Sequence, residues 1–310
     1  MRNYLHNLSI SERILLIVCA ILLFAILYGA NFLNQTRDQM NSGIMQVVFL
    51  DVGQGDSILI ITPNRNQLLV DTSENEIVIR KISKHLHFFD KTIDLLITTH
   101  PDADHIGGVP ALLKKYVFAQ YGYFFDSPGS PLNDQIDKLI EKKRIQKTNL
   151  KAGDEIILDQ EFGIKAKVFW PDPDAEIEDK NDQSIVMKIS YDQIDFMLTG
   201  DAGILIEEKI ITALYKNVPN VGDQDANLES EILKLGHHGS KTSTSAEFLE
   251  RVSPNFVVIS AGEDNKFGHP HQEVIDRINS YSERFKPITI LETKKKPVIF
   301  KTDGQILWVD

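Results

Sequence analysis

Residues 98–108 read TTHPDADHIGG. Four side chains of metal-ligand type, His100, Asp102, Asp104 and His105, fall within six residues, and Gly107 and Gly108 close the stretch. The run before it, DLLITT at 94–99, is rich in Leu, Ile and Thr and reads as a buried strand. A strand thus delivers the cluster into a tight loop at its end, where layered folds usually place their chemistry. Alternating side chains in such a loop point to different sides. His100 and Asp102 can then face one ion while Asp104 and His105 face another. Taken alone, an Asp-rich loop with glycine also reads as a solvated turn, so the rest of the chain has to decide.

Three more stretches carry clustered ligand types: NDQS at 181–184, LTGD at 198–201 and GHHGS at 236–240, with GHPH at 268–271 as a further candidate. HPDADH, LTGD and GHHGS each directly follow a predicted strand. Strand ends along one sheet edge converge in space, so these side chains can meet. Zinc takes histidine nitrogen and carboxylate oxygen at roughly 2.0–2.2 Å, usually with four ligands. Manganese and iron accept similar sets with more oxygen. Asp201 has two oxygens and can bridge two cations. Ions about 3.5–4 Å apart would hold a bridging hydroxide, the nucleophile that hydrolysis at neutral pH needs, because metal binding lowers the pKa of water to about 7. Each piece has a blander reading. Asp201 can cap the next helix, GHHGS can lead into a helix, GHPH can be a turn, and NDQS alone says little. Their order and their shared place at strand ends favour a site.

The rest of the chain narrows the chemistry. Its 310 residues suffice for one large domain or two small ones, and 42% hydrophobic with 25% charged residues excludes disorder. A net charge of −11 argues against holding nucleic acid by passive phosphate neutralisation, so a phosphate-ester enzyme would need bound cations. Cys19 is the one cysteine and lies in an apolar run, which excludes an internal disulfide and a cysteine-held zinc. There is no G-x-S-x-G elbow, and DVGQGDS at 51–57 lacks the lysine of a phosphate cradle. His6, His85 and His87 have no ligand-type neighbours; the last two read as helix-surface residues, and KKK at 294–296 as a solvated turn.

No charged residue occurs from Ile14 to Thr36, and the apolar run 14–33 is about as long as a bilayer needs. A cleaved signal peptide is the rival, but the run is long for one and Tyr28–Gly29–Ala30 is a poor cleavage site. The expected organisation is a short cytoplasmic segment at 1–13, a transmembrane anchor at 14–33, a polar linker at 34–44 and a hydrolase domain at 45–310. Arg2, Arg13 and the terminal amine precede the span, whereas Arg37 after it has Asp38 beside it. That bias places the N-terminus inside and the domain on the extracytoplasmic side.

Beyond the anchor, VVFLD, SILIIT and QLLVD read as a three-strand meander, and ENEIVIRKISKHLHFF has helical spacing. GVPALLKKYV reads as a helix, residues 119–150 as irregular around DSPGSPLND with a helix at DQIDKLIEKKR, and EIILD, IKAKVFW, SIVMKIS and IDFMLTGD as strands. A helix at 203–215, the acidic loop GDQDANLES, the strand of EILKLGHHGS, helices SAEFLERV and QEVIDRINSY around strand NFVVIS, and closing strands near 288–291, 297–301 and 306–309 complete the chain. This alternation predicts an α/β (α+β) fold of two mixed sheets with helices packed outside them.

The stretches FLDVGQGDSILI, LLVDTS, ITTHPDADHIGG, NDQSIVMKI, LTGD, LKLGHHGSKTSTS and GHPHQEV, in this order, make the chain from about 45 to 310 resemble metallo-β-lactamase-fold hydrolases. Within them it is similar to the C-terminal extracellular domain of ComEC-type competence proteins. The resemblance implies a four-layer αββα sandwich with the metal site at one edge between the sheets. It implies that His100 and Asp102 match the first two metal positions, Asp104 and His105 the second pair, and Asp201 the bridging carboxylate. One of His237 and His238 matches the last metal histidine, and the other faces substrate. Asp56 and Asp71 stand where the family has aspartates near the site that orient ligand histidines, and His269 fits a position on the substrate side. The chain departs from the broad superfamily at Asp102, where a histidine is usual; the competence branch has aspartate there. The middle histidine of the first metal has no counterpart, with Asn181 or Ser184 in its region, so that site is expected to bind weakly or to prefer manganese. Ser73 stands where glycine is usual, and one span cannot form a DNA channel.

The leading reading is therefore a membrane-tethered phosphodiesterase or nuclease-type enzyme with two divalent ions, zinc or manganese, in which Asp104, His237 and His238 are catalytic. Its substrate would be single-stranded DNA or a cell-envelope phosphodiester such as a phosphorylcholine or teichoic-acid ester. Hydrolysis of an amide or ester is a weaker alternative. A binding module that assists a separate membrane channel in DNA uptake is a third, supported by the missing middle histidine.

Overall fold

The computed structural model describes residues 9–41, 43–124, 130–177, 179–216, 227–263 and 265–310. It contains two compact units, Met1–Gly43 and Ile44–Asp310. In the first, helix α1 spans Ile10–Asn41. Its stretch Ile10–Gly29 has a mean hydropathy of 2.5 and is long and apolar enough to cross a membrane. Residues 34–41, expected within the linker, continue this helix: they hold no proline or glycine, and Gln35, Arg37 and Met40 favour it. Of the expected cytoplasmic segment, residues 1–8 lie outside the described residues.

The second unit opens with the expected meander, β1 (Met45–Phe49), β2 (Ile58–Ile61) and β3 (Gln67–Val70). The chain then crosses over through α2 (Ile77–Ile82) to β4 (Thr92–Thr98), which lies parallel to β3. Two helical segments follow, α3 (Ala103–Ile106) and α4 (Val109–Lys115). Next come β5 (Val117–Tyr123), α5 (Pro131–Lys143) and β6 (Gln146–Asn149). Strands β5 and β6 lie largely within residues 119–150, where the sequence pattern predicts less regular chain. Strand β6, QKTN, is polar and mostly exposed, so it has no hydrophobic period; its register against β5 defines it.

The other half supplies β7 (Glu155–Asp159), β8 (Ile164–Trp170), β9 (Val186–Tyr191) and β10 (Ile194–Leu198) as an antiparallel run. Helix α6 (Ile204–Lys216) follows, then β11 (Ile232–Lys234), α7 (Ala246–Val252), β12 (Phe256–Ile259), α8 (Gln272–Arg284) and β13 (Thr289–Glu292). Strands β14 (Val298–Thr302) and β15 (Leu307–Val309) return to the first sheet beside β1. Among the described residues the sheets run β15-β14-β1-β2-β3-β4-β5-β6 and β13-β12-β11-β10-β9-β8-β7. Residues 222–226 of the expected acidic loop and 126–129 of DSPGSPLND lie outside the described residues. His85 and His87 sit in turns just beyond α2 rather than on its surface.

Three apolar layers hold this order. Between the sheets, Phe300 packs edge-on against Phe49, Phe196 and Phe256, with centroids 5.6–6.0 Å apart. Outside the first sheet, Val78, Leu112 and Ile136 of the covering helices meet Leu59, Leu69 and Leu96. Outside the second, Ile206, Phe248 and Ile278 meet Met197, Leu233 and Val257. Helix, sheet, sheet, helix is the expected αββα sandwich. The parallel strands β3 and β4 of one sheet and β10 and β11 of the other end on the same side. There their carboxyl ends deliver Asp71, His100, Asp201 and His237–His238.

Candidate metal centre

HPDADH is partly helical. Asp102 is the N-cap of α3, whose single turn carries Asp104 and His105 at successive positions, about 100° apart around the axis. The alternation expected of an extended loop is therefore absent, and the four side chains do not divide into His100–Asp102 and Asp104–His105. Asp102 turns outward: its side chain is 39% exposed and lies 3.7 Å from Lys180 Nζ. Among the described residues it joins none of the groups whose ligand atoms all lie within 4.8 Å of one another. Those groups bring together His100, His105 and Asp201; Asp104, His105 and His238; Asp56, Asp71 and His105; and Asp56, Asp201 and His238.

Asp201 is the hub. Its Oδ1 lies 3.4 Å from His105 Nε2, and its Oδ2 lies 3.4 Å from His238 Nε2 and 3.9 Å from both His100 Nε2 and His237 Nε2. Asp104 Oδ2 is 3.5 Å from His238 Nε2. His100 Nε2, His105 Nε2, His238 Nε2 and Asp201 Oδ1 are all buried without a hydrogen-bond partner. Orphaned polar atoms of this kind are rare in native interiors. Four of them aimed at one volume, with a nitrogen-and-carboxylate donor set, fit a divalent cation.

The other ring nitrogens are held from behind. His105 Nδ1 and Asp71 Oδ2 are 2.8 Å apart, and Asp71 also accepts from Thr99 N at 2.8 Å and Thr99 Oγ1 at 2.7 Å. His238 Nδ1 lies 2.8 Å from the Ser260 carbonyl, which requires the proton on Nδ1 and leaves Nε2 as the nitrogen that faces Asp201. Ser184 Oγ accepts from Asp201 N at 2.9 Å and lies 3.3 Å from His100 Nδ1, so it steadies both. Asn181 Nδ2 lies 3.5 Å from His237 Nδ1. His237 is 30% exposed at the mouth, and the His269 ring lies 5.5 Å from it and 6.1 Å from His238. His237 and His238 both have left-handed backbone, with φ of 45° and 56°. That conformation costs about 1–2 kcal/mol per residue, and such strain concentrates at functional sites.

The glycine pair that closes the opening motif has a steric cause. A Cβ on Gly107 would lie 2.0 Å from the Glu74 carbonyl oxygen, so the loop after Asp71 and the turn carrying His105 approach too closely for any side chain.

Lys234 was not singled out in the sequence. It is fully buried, its Nζ 2.5 Å from Asp56 Oδ2, 2.9 Å from the Gly200 carbonyl and 3.9 Å from Asp201 Oδ1. The available signal was a lysine in the apolar strand LKLG immediately before the histidine pair. Asp56, expected to orient a histidine, lies 3.5 Å from His238 Nδ1 but makes its short contact with Lys234.

Burial alone would raise the Asp201 carboxyl, but the His238 and His105 imidazoles outweigh it and hold Asp201 well below the carboxylate range. Burial likewise opposes the charged forms of His105 and His238, and Asp201 overcomes it in both, placing them well above the ordinary histidine value. His100 goes the other way, pushed down to about 3 by burial and by His105. Asp56 is held far below its usual range because Lys234 outweighs its burial.

A family profile of the metallo-β-lactamase superfamily matches residues 50–263, and the chain belongs to that superfamily. ComE operon protein 3 of Bacillus subtilis is 28% identical over 261 residues, covering 77% of this chain and 31% of the relative. Competence protein ComA of Neisseria gonorrhoeae is 29% identical over 280 residues, covering 86% and 36%. These relatives are of the ComEC competence type, as the motifs implied, and the chain spans about a third of their length. Among solved structures, CmlA, a diiron β-hydroxylase from Streptomyces venezuelae, matches 83% of this chain and 54% of its own at a TM-score of 0.53. At 12% identity that likeness shows the fold alone. The fold usually holds divalent metals, and this chain carries a His/Asp cluster at the corresponding strand ends.

Proposed function

We propose that this protein is a membrane-tethered, metal-dependent phosphodiesterase. The supporting observation is the set of buried, unpartnered ligand atoms around Asp201. Asp104, His105 and His238 with Asp201 would hold one divalent ion. His100 with Asp201, and Asp102 if its carboxylate swings in, would hold a second, poorer in ligands. The first set, two nitrogens and two carboxylates, suits zinc, and the thinner second set, with one nitrogen, admits manganese. Bound cations would supply charge neutralisation of the phosphoryl oxygens and an acidified water.

The chain's own residues do the rest. Asp71 and the Ser260 carbonyl fix the ring orientations of His105 and His238 so that each Nε2 faces inward. His237, exposed at the mouth and kept below the ordinary histidine value by burial, presents a neutral imidazole that can hydrogen-bond a phosphoryl oxygen. His269 lines the same mouth. Lys234 neutralises Asp56 beneath the centre, so the site does not carry an extra uncompensated carboxylate. The competence relatives favour a role in DNA uptake beside a separate membrane channel, with single-stranded DNA as substrate. An envelope phosphodiester is the other source of the same bond. The apolar helix would anchor the chain with its domain on the extracytoplasmic side.

The test uses the full chain in detergent, stripped of metal and reloaded with zinc or manganese, on methyl p-nitrophenyl phosphate. Asp104→Ala and His238→Ala should lose both metal and turnover, whereas His237→Ala should keep metal and lose turnover. Absence of wild-type turnover with either metal rules the enzyme reading out and leaves the binding module.

A further inference from the structure

The geometry points to a base-stacking subsite on the Phe267 loop, beside the metal centre, that takes one nucleotide of a single strand next to the scissile phosphodiester. This rests on the phosphodiesterase reading and narrows its substrate class.

Phe267 is 52% exposed, yet the loop that carries it is tied down. Asn265 Nδ2 donates to the Gly262 and His269 carbonyls, each at 2.8 Å, and Asn265 Oδ1 accepts from His269 N at 2.8 Å. An apolar ring is therefore held out in solvent on a short, cross-braced turn. Its inner neighbour is His269, stacked on it at 5.7 Å with planes 22° apart. His269 is 7% exposed, and its Nδ1 has no hydrogen-bond partner. Because His269 also contacts the rings of His237 and His238, a chain of packed rings links Phe267 to the metal-type cluster. The groove in front of Phe267 has a volume of about 350 Å³, and Asp104 and Gln54 lie on its walls. A site of that scale accommodates a small ligand.

The ring and Lys266 select the occupant, against acidic walls. Lys266 Nζ sits 5.3 Å from the Phe267 ring centroid, already using the ring's attraction for cations. A quaternary ammonium headgroup would compete with it and be repelled by it. A nucleobase has a π-face to stack and carries a phosphate that Lys266 can meet. Glu263 on the same loop is paired with Lys295 at 2.7 Å, so among the described residues it does not occupy Lys266. Glu74 on the opposite wall is exposed and acidic, so stacking rather than net charge must supply the affinity.

Full-length wild type, Phe267→Ala and Phe267→Trp are compared on a single-stranded oligonucleotide containing 2-aminopurine. In EDTA the quenching of that base reads stacking without turnover. Phe267→Ala should weaken binding about 5- to 150-fold, the range for one stacked base, and Phe267→Trp should restore it. With metal, the loss in kcat/KM for the oligonucleotide should exceed the loss for methyl p-nitrophenyl phosphate by a similar factor, through KM. Equal losses on both substrates, unchanged quenching in Phe267→Ala, or displacement of the oligonucleotide by phosphocholine would each overturn the subsite. A wild type that quenches the probe but cleaves neither ester defeats the enzyme reading and leaves the subsite standing.

Discussion

Replacing Asp71 with asparagine keeps the shape of the side chain and removes one of its two acceptor oxygens. Asp71 accepts three hydrogen bonds, from His105 Nδ1, Thr99 Oγ1 and Thr99 N, at 2.7–2.8 Å. With its oxygen toward His105, the amide aims an NH2 group at the Thr99 N–H. With its oxygen toward Thr99 N, it turns donors on His105 Nδ1. His105 must then break the contact or move its proton to Nε2, the atom that faces Asp201. Losing one charge-assisted hydrogen bond of this kind costs about 1.5–3 kcal/mol. That corresponds to roughly 10- to 150-fold in affinity, and partners behind metal histidines are typically worth about 10- to 100-fold. Zinc affinity by chelator competition, with circular dichroism to check the fold, should fall by that factor in Asp71→Asn. An affinity within threefold of wild type in a folded variant would refute the assignment of Asp71 as the orienting partner of His105.

Lys234→Met should destabilise the protein by about 3–5 kcal/mol, because it strands the buried Asp56 carboxylate; urea unfolding reads this, and a change below 1 kcal/mol would show that water reaches the pair. The raised values of His105 and His238 have a signed consequence. Their stabilising effect in the metal-free protein is complete below the unfolded value of about 6.5 and is lost as pH rises through the folded values. Zinc affinity should instead increase over the same interval, since the ligand nitrogens must shed protons. Urea midpoints in EDTA and zinc competition at matched pH should therefore run in opposite directions, and a parallel fall in both would contradict the cluster's charge assignment. Gly107→Ala should destabilise the fold and lower metal occupancy together, because its Cβ would overlap the Glu74 carbonyl; a thermal midpoint equal to wild type would mean that the two loops separate freely.

The layered fold was legible because its signals are local. Apolar runs ending in HPDADH, LTGD and GHHGS mark buried strands whose ends carry ligand-type residues, and side-chain period needs no partner to be read. The metal-type residues were legible by chemistry, since histidine and aspartate clusters at strand ends have few other uses. Helix α1 exceeded its apolar run because helix continuation depends on the backbone, not on hydrophobicity. Strand β6 was invisible because an exposed edge strand has no apolar face and exists through pairing with β5.

Which candidate ligands stand together was the part that tertiary structure decided. One helical turn at Ala103–Ile106 sends Asp102 outward to Lys180 and Asp104 and His105 inward. Left-handed backbone at His237 and His238 puts one imidazole at the mouth and buries the other against the Ser260 carbonyl. Lys234 becomes part of the centre only because β11 lies beside β10, which brings its ammonium under Asp56 and Asp201. The residue types that chelate are written along the chain. Which of them share an ion depends on side-chain direction and on contacts between distant strands, set by packing of the two sheets rather than by spacing.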